Sequence, residues 1–187
     1  MSKIIIISSS VRTGKKSNRV AFFFANYINE QKIAEAEIVD LEDYHFPVFN
    51  ERLSNLTDPP QNLLDFSEKI KAADGVIIVS PEYNGGYPAS LKNVIDVLLA
   101  EWKRKPIAIS TVSGGPFAGM NLITSLQFIL WKIGAWTVPA MFPVANVQTS
   151  YDEDGKPADV EGVEKRAKAF IDELMWCIAA KEKMKEA

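Results

Sequence analysis

The sequence predicts an α/β fold: a doubly wound, five-stranded parallel sheet with helices on both faces. Three observations lead there. Short apolar runs rich in β-branched residues recur along the chain, and stretches with helical apolar periodicity separate them. A length of 187 residues suits one domain that buries a two-sided core. Parallel strands need crossovers, and right-handed crossovers place helices on both faces of the sheet.

The elements follow in order. Ile4 to Ile7 is too short for a signal core or a membrane span and is expected to be a buried strand. Val20, Phe23, Phe24, Tyr27 and Ile28 then mark one face of a helix. Glu37 to Leu41 alternates as a strand nearer the sheet edge does, and Val76 to Val79 and Ile107 to Val112 suit central parallel strands. Leu91, Val94, Ile95, Leu98 and Leu99 form the next helical face, and Leu122, Leu126, Ile129, Leu130 and Ile133 another. Val138 to Val147 is interrupted by Pro139 and Pro143, so a short or kinked strand is expected there. Val163, Ala167, Phe170, Ile171, Leu174 and Ile178 close the chain as a helix. Five strands and five helices fill the length, and the one long irregular connection begins at Tyr44 and runs to about Pro60.

Composition narrows the function. Apolar residues make up 47% and charged residues 24%, with a net charge of -3 and the two signs interspersed. No basic face exists to recruit nucleic acid, and any bound anion must be held locally. One cysteine, Cys177, excludes an internal disulfide and a cysteine-rich metal site and fits a reducing, cytoplasmic setting. It falls in the apolar pattern of the last helix, where inert packing is expected. Trp102, Trp131 and Trp136 are read as core or subunit packing.

In doubly wound sheets ligands bind beyond the carboxyl ends of the strands, where the strand order reverses. The first such loop, Ser8 to Arg19, is crowded with hydroxyls and cations before a helix amino terminus, where a phosphate is favoured. Arg12 and Arg19 would add charge-assisted bonds. It carries neither a P-loop nor the Gly-x-Gly-x-x-Gly fingerprint, and the same residues also suit a plain helix cap by Ser17 with solvated cations. The second loop, Ser80 to Asn93, is stiffened by Pro81 and Pro88, with Gly85-Gly86 expected to take positive φ between them. Backbone groups held there would read the polar edge of a flat heterocycle such as a flavin ring, with Tyr83 against its face; an ordinary proline-glycine connection is the alternative. The third, Thr111 to Gly119, lets backbone approach a ligand closely or simply turns, with Pro116 starting the next helix.

Taken together, Ser10-x-Arg12 with Ser17-Asn18, Pro81-Glu82-Tyr83-Asn84-Gly85 with Leu91-Lys92-Asn93, and Ser113-Gly114-Gly115 resemble the NAD(P)H-dependent FMN reductases, a group that includes quinone, azo-dye and chromate reductases. The resemblance covers nearly the whole chain. It implies a flavodoxin-like sheet of order 2-1-3-4-5. It also implies FMN as cofactor, NADPH or NADH as co-substrate, and hydride transfer to N5 of the flavin and on to a quinone, azo compound, free flavin or metal oxyanion. By the same resemblance, Ser10, Arg12, Ser17 and Asn18 would hold the phosphate, while Pro81, Glu82, Tyr83, Asn84, Gly85, Ser113, Gly114 and Gly115 would surround the ring. A homodimer or homotetramer with flavin pockets near subunit interfaces is implied too. Two positions depart from the pattern: Ser9 stands where many members have glycine, and Gly86 where many have serine.

No catalytic side chain and no metal ligand set is expected, since the cofactor carries the chemistry. No Ser-His-Asp set is visible, and the lone His45 is read as an ordinary surface or packed histidine. Phe46, Phe49 and Phe117 are candidate substrate contacts, and the loop from Tyr44 to Asn62 is the expected place for acceptor selectivity. A flavodoxin-like electron carrier acting on protein partners is the rival reading, although a steered docking face would need stronger charge than this chain has. An FMN-free interaction domain on the same fold is a third.

Overall fold

The computed structural model describes residues 1–185. Strands β1 (Lys3–Ser8), β2 (Glu35–Asp40), β3 (Gly75–Pro81), β4 (Pro106–Val112) and β5 (Trp136–Val144) form a parallel sheet in the order β2-β1-β3-β4-β5. Among the described residues the helices are α1 (Asn18–Glu30), α2 (Gln61–Ala72), α3 (Ala89–Val97), α4 (Leu122–Lys132), the single turn α5 (Val147–Ser150) and α6 (Val160–Lys185).

The strand period of two explains the layering. Ile4 and Ile6 point into one core with Val20, Phe24 and Ile28 of α1 and Phe170, Ile171 and Leu174 of α6. Ile5 and Ile7 point into the other, with Phe66 and Ile70 of α2, Val94 and Ile95 of α3 and Leu126 and Leu130 of α4. All four isoleucines are 0% exposed, and each stabilises the fold by about 1.5–3 kcal/mol. β2 lies at the sheet edge, as its alternation indicates.

Three elements differ from the sequence reading. Helix α2 is buried through Leu63, Phe66, Ser67 and Ile70, a pattern thinned by Asp65, Glu68, Lys69 and Lys71. The turn α5 is an additional helix, starting at Val147 where a strand was expected to end. β5 is the full nine residues rather than short. As an edge strand it has a free side for proline. The irregularity falls at Pro139, where Ile107 pairs with Thr137 but Ile109 with Met141, so two steps along β4 face four along β5.

Of the tryptophans, Trp102 is fully buried beside Phe66, whereas Trp131 and Trp136 remain 67% and 37% exposed and lie outside the core. Cys177 is buried, and burial pushes its thiol above the ordinary cysteine value. Native protein is therefore expected to resist iodoacetamide at pH 8 and to label fully in denaturant; fast native labelling would contradict this packing.

The segment between α5 and α6 lies hard against α1. Gly155 has φ +86°, and a Cβ there would sit 2.6 Å from both the Arg19 carbonyl oxygen and the Phe23 nitrogen. Gly155→Ala is expected to lower stability by at least about 2 kcal/mol in urea denaturation, because strained φ and a backbone clash add. An unchanged midpoint would show that this segment does not press on the helix.

Candidate functional site

The loops after β1, β3 and β4 meet around one cleft of about 420 Å³, whose walls include Arg12, Ser17, Pro81, Tyr83, Ser113 and Gly114. The first loop leaves the sheet with the Ser9 N–H bonded to the Val79 carbonyl at 3.1 Å. It is pegged at its middle by Lys15, whose ammonium lies 2.6 Å from Asp40 and 2.7 Å from Glu42. Burial alone would lower the pKa of that lysine, but hydrogen bonds to the two carboxylates outweigh it and hold the group above the ordinary value. Arg12 is exposed at the cleft, with no ion-pair partner among the described residues.

Ser17 occupies the cap position of α1, yet its side chain makes no capping hydrogen bond. Its Oγ and the Asn18 Oδ1 are buried without a partner, as is Ser9 Oγ. A buried unsatisfied polar group costs about 1–3 kcal/mol. Unpartnered side chains clustered at a helix amino terminus, beside a free guanidinium, are what a phosphate monoester would satisfy. A half-turn of the Asn18 carboxamide presents Nδ2 as a donor. The plain-cap alternative is thereby removed, and the residues present fit the phosphate of FMN.

Arg19 does not belong to this set. It is 8% exposed and turns away, donating to the carbonyl oxygens of Tyr151 at 2.7 Å and Gln148 at 3.4 Å. Its task is to hold the segment after β5 onto α1, a pairing of residues far apart in sequence.

In the second loop the Tyr83 N–H donates to Gly86 at 2.7 Å and the Gly86 N–H to Tyr83 at 3.0 Å. The two residues between them, Asn84 and Gly85, take φ +52° and +83°. This is the two-residue hairpin turn that Asn-Gly favours. Positive φ thus falls on Asn84-Gly85 and not on Gly85-Gly86 as expected. Gly86 is not demanded by geometry, since a Cβ there would come no closer than 3.9 Å to the Tyr83 carbonyl, so a serine would fit.

Tyr83 reaches back so that its hydroxyl lies 2.6 Å from Ser10 Oγ, joining the second loop to the first. Glu82 accepts from the Asn121 N–H at 3.1 Å and from Asn121 Nδ2 at 2.9 Å, which fastens the loop to the start of α4. The third loop is latched in turn. Ser113 Oγ donates to the Gly115 carbonyl at 2.7 Å, Gln148 Nε2 to Gly114 at 3.1 Å, and the Val147 N–H to Ser113 at 3.1 Å.

Of the twelve residues expected at the site, Arg12, Ser17, Pro81, Glu82, Tyr83, Ser113 and Gly114 line the cleft. Ser10, Asn18 and Gly115 are not part of that lining, and neither are Asn84 and Gly85, which form an exposed turn of the second loop. The sequence reading missed Val147 and Gln148, which complete the cleft from beyond β5. No local signal marks them, because only the sheet order brings them beside β4.

Comparison with known proteins agrees with this geometry. Residues 2–149 match the family model described as NADPH-dependent FMN reductase. The chain belongs to that family. A curated relative, an NAD(P)H-dependent FMN reductase of Schizosaccharomyces pombe, is 31% identical over 143 residues, covering 74% of this chain and 70% of the relative. An NADPH azoreductase of a Bacillus species is 29% identical over 177 residues, covering 90% and 92%. Among solved structures, the flavoenzyme NAD(P)H:acceptor oxidoreductase FerB of Paracoccus denitrificans has a similar fold, with a TM-score of 0.75 over 95% of this chain and 97% of that one at 23% identity. Among the described residues no group of three or more His, Cys, Asp or Glu could hold a metal, and no helix is long and apolar enough to cross a membrane.

Ser17→Ala is expected to leave the protein without FMN as stable or more stable, because it removes a buried hydroxyl that has no partner, and, if that hydroxyl meets the phosphate, to weaken FMN about tenfold, roughly 1.4 kcal/mol. Thermal melting with and without FMN checks both signs. A destabilised apoprotein would return Ser17 to the role of helix cap.

Proposed function

We propose that residues 1–187 act as a single FMN-binding domain that takes reducing equivalents from NADPH or NADH and passes them to a small acceptor such as a quinone, azo compound, free flavin or metal oxyanion. The observation that carries this reading is the convergence of three strand-tip loops on one cleft lined by Ser17, whose hydroxyl, like the neighbouring Asn18 Oδ1, is buried without a partner. FMN when bound would supply hydride acceptance and donation; the protein supplies position.

Arg12, Ser17 and Asn18 would hold the phosphate, with Ser10 kept in place by Tyr83. Pro81, Tyr83, Ser113 and Gly114 would form the walls for the ring, with Glu82 and Ser113 fixing those walls rather than reaching the ligand. Asn84 and Gly85 would edge the ring at the rim. Preorganisation of this kind removes the ordering cost from the binding step. A reduced, cytoplasmic setting is consistent with the one cysteine being buried and free.

A homodimer or homotetramer is part of the same reading. Phe117 and Met120, on the third loop and just before α4, are 78% and 45% exposed, and Phe128 and Trp131 on α4 are 60% and 67% exposed with their rings 5.8 Å apart. Large apolar side chains exposed to this degree mark interfaces in soluble proteins, and the Phe128–Trp131 pair on α4 would carry a second copy. The electron-carrier alternative lacks a comparable feature, since no strongly charged docking face accompanies the net charge of -3.

Purified protein loaded with FMN is expected to show the flavin visible spectrum and to bleach rapidly in stopped flow with NADPH or NADH. Flavin that binds but is reduced by neither nucleotide would support the carrier instead. Arg12→Ala is expected to weaken FMN at least about tenfold more than riboflavin, since only FMN presents the phosphate to a charge-assisted bond. Equal weakening of both would show that the first loop does not read the phosphate.

A further inference from the structure

The charges that line the cleft are divided between its loops. Arg12 and Lys16 stand on the first loop, both exposed and without an ion-pair partner among the described residues. Lys15 beside them is taken up by Asp40 and Glu42. The second loop contributes the opposite sign, since Glu82 is the one acidic residue of the lining. Its side chain is half-buried, and no lysine, arginine or histidine among the described residues forms an ion pair with it.

The carboxylate is held by neutral donors alone. Oε2 accepts from the Asn121 N–H at 3.1 Å and Oε1 from Asn121 Nδ2 at 2.9 Å. The backbone N–H of Glu82 donates to the Val112 carbonyl at 3.2 Å. Glu82 is thereby pinned between the end of β4 and the amino terminus of α4. The positive end of that helix favours an anion, so a carboxylate is tolerated there without a cation. The peg itself needs no charge. A glutamine at this position would accept from the Asn121 N–H and donate its Nε2 to the turned carboxamide of Asn121. The negative charge is thus more than the fastening requires, and it stands beside Pro81, Tyr83, Ser113 and Gly114, the walls assigned above to the ring.

Hydride transfer changes the charge of that ring. One hydride from NADPH or NADH brings two electrons and one proton, NADP⁺ or NAD⁺ leaves, and the ring goes from neutral to singly negative. A fixed carboxylate in the wall repels the second form and leaves the first almost unaffected. Between unit charges in a part-buried site such repulsion amounts to a factor of about ten in an equilibrium constant. The phosphate is the same in both forms, so its contacts with the first loop do not offset the difference.

We propose that Glu82 is a tuning charge: held in the cleft wall by Asn121, it disfavours the reduced, negative flavin relative to the oxidised one and makes the reduced flavin a stronger donor to the acceptor. This rests on the FMN reading of the cleft. The loops then divide the work, the first setting how tightly FMN is held and Glu82 setting its potential.

Anaerobic redox titration of the FMN-loaded protein against a reference dye, together with the affinity for oxidised FMN, tests the assignment. Glu82→Gln removes the charge and keeps the peg. It is expected to tighten reduced FMN about tenfold relative to oxidised FMN, which raises the two-electron midpoint potential by about 30 mV. Glu82→Ala removes both charge and peg, and is expected to weaken both forms while giving the same tenfold change in their ratio. Asn121→Ala keeps the charge and cuts one of its two bonds, so both forms should weaken with the ratio close to wild type. A ratio within about twofold of wild type in both Glu82 variants would overturn the proposal, as would an Asn121→Ala shift as large as that of Glu82→Gln, because position and not charge would then be at work. Bound FMN that dithionite reduces but neither nucleotide does would overturn the reductase reading, and the same titrations would still decide Glu82. Protein that takes up no FMN would overturn both.

Discussion

Everything in this molecule is arranged around a strand that must be buried on both faces. Ile4 to Ile7 cannot meet water on either side, so helices have to cover the sheet above and below, and parallel crossovers supply them. The chain winds one way from β1 to β2 and the other way to β3, β4 and β5. Where it reverses, the loops after β1 and β3 part and leave a crevice that no side chain fills. The position of the cleft is thus a consequence of core burial.

Unmet hydrogen bonds collect at the end of β1 and the start of α1. Ser9, Ser17 and Asn18 each hold a buried polar atom with no partner, although a native fold satisfies nearly all such groups. The surrounding loops do not relax to repair this, because each is tied elsewhere: Lys15 to Asp40 and Glu42, Glu82 to Asn121, Gln148 to Gly114. Rigid loops around unmet hydrogen bonds are the exchange of stability for function that binding sites show.

Much of the fold was legible because it rests on local periodicity. The runs at Ile4, Val76 and Ile107 and the faces of α1, α3, α4 and α6 are patterns within single elements. The features that escaped depend on partners distant in sequence. Pro139 and Pro143 argue against a strand unless the strand is known to lie at an edge, and α2 is obscured by the charges that its exposed side carries. The site was legible to the same degree. Hydroxyls, cations and the Pro-Glu-Tyr-Asn-Gly motif announce loops that border the cleft, but not which groups of each loop line it. Arg19 looks as suitable as Arg12 in sequence, yet one is spent on the Tyr151 carbonyl and the other is free.

The sequence by itself determined the layer order and the three loops that border the cleft, since these follow from side-chain type and spacing. The tertiary structure alone decided which cations are free, that Ser17 caps nothing, that positive φ falls on Asn84 and Gly85, and that Val147 and Gln148 close the cleft. The physical reason is the same in each case: a hydrogen bond or an ion pair removes a group from the set available to a ligand, and whether that bond forms depends on which segments the sheet brings within about 3 Å of one another.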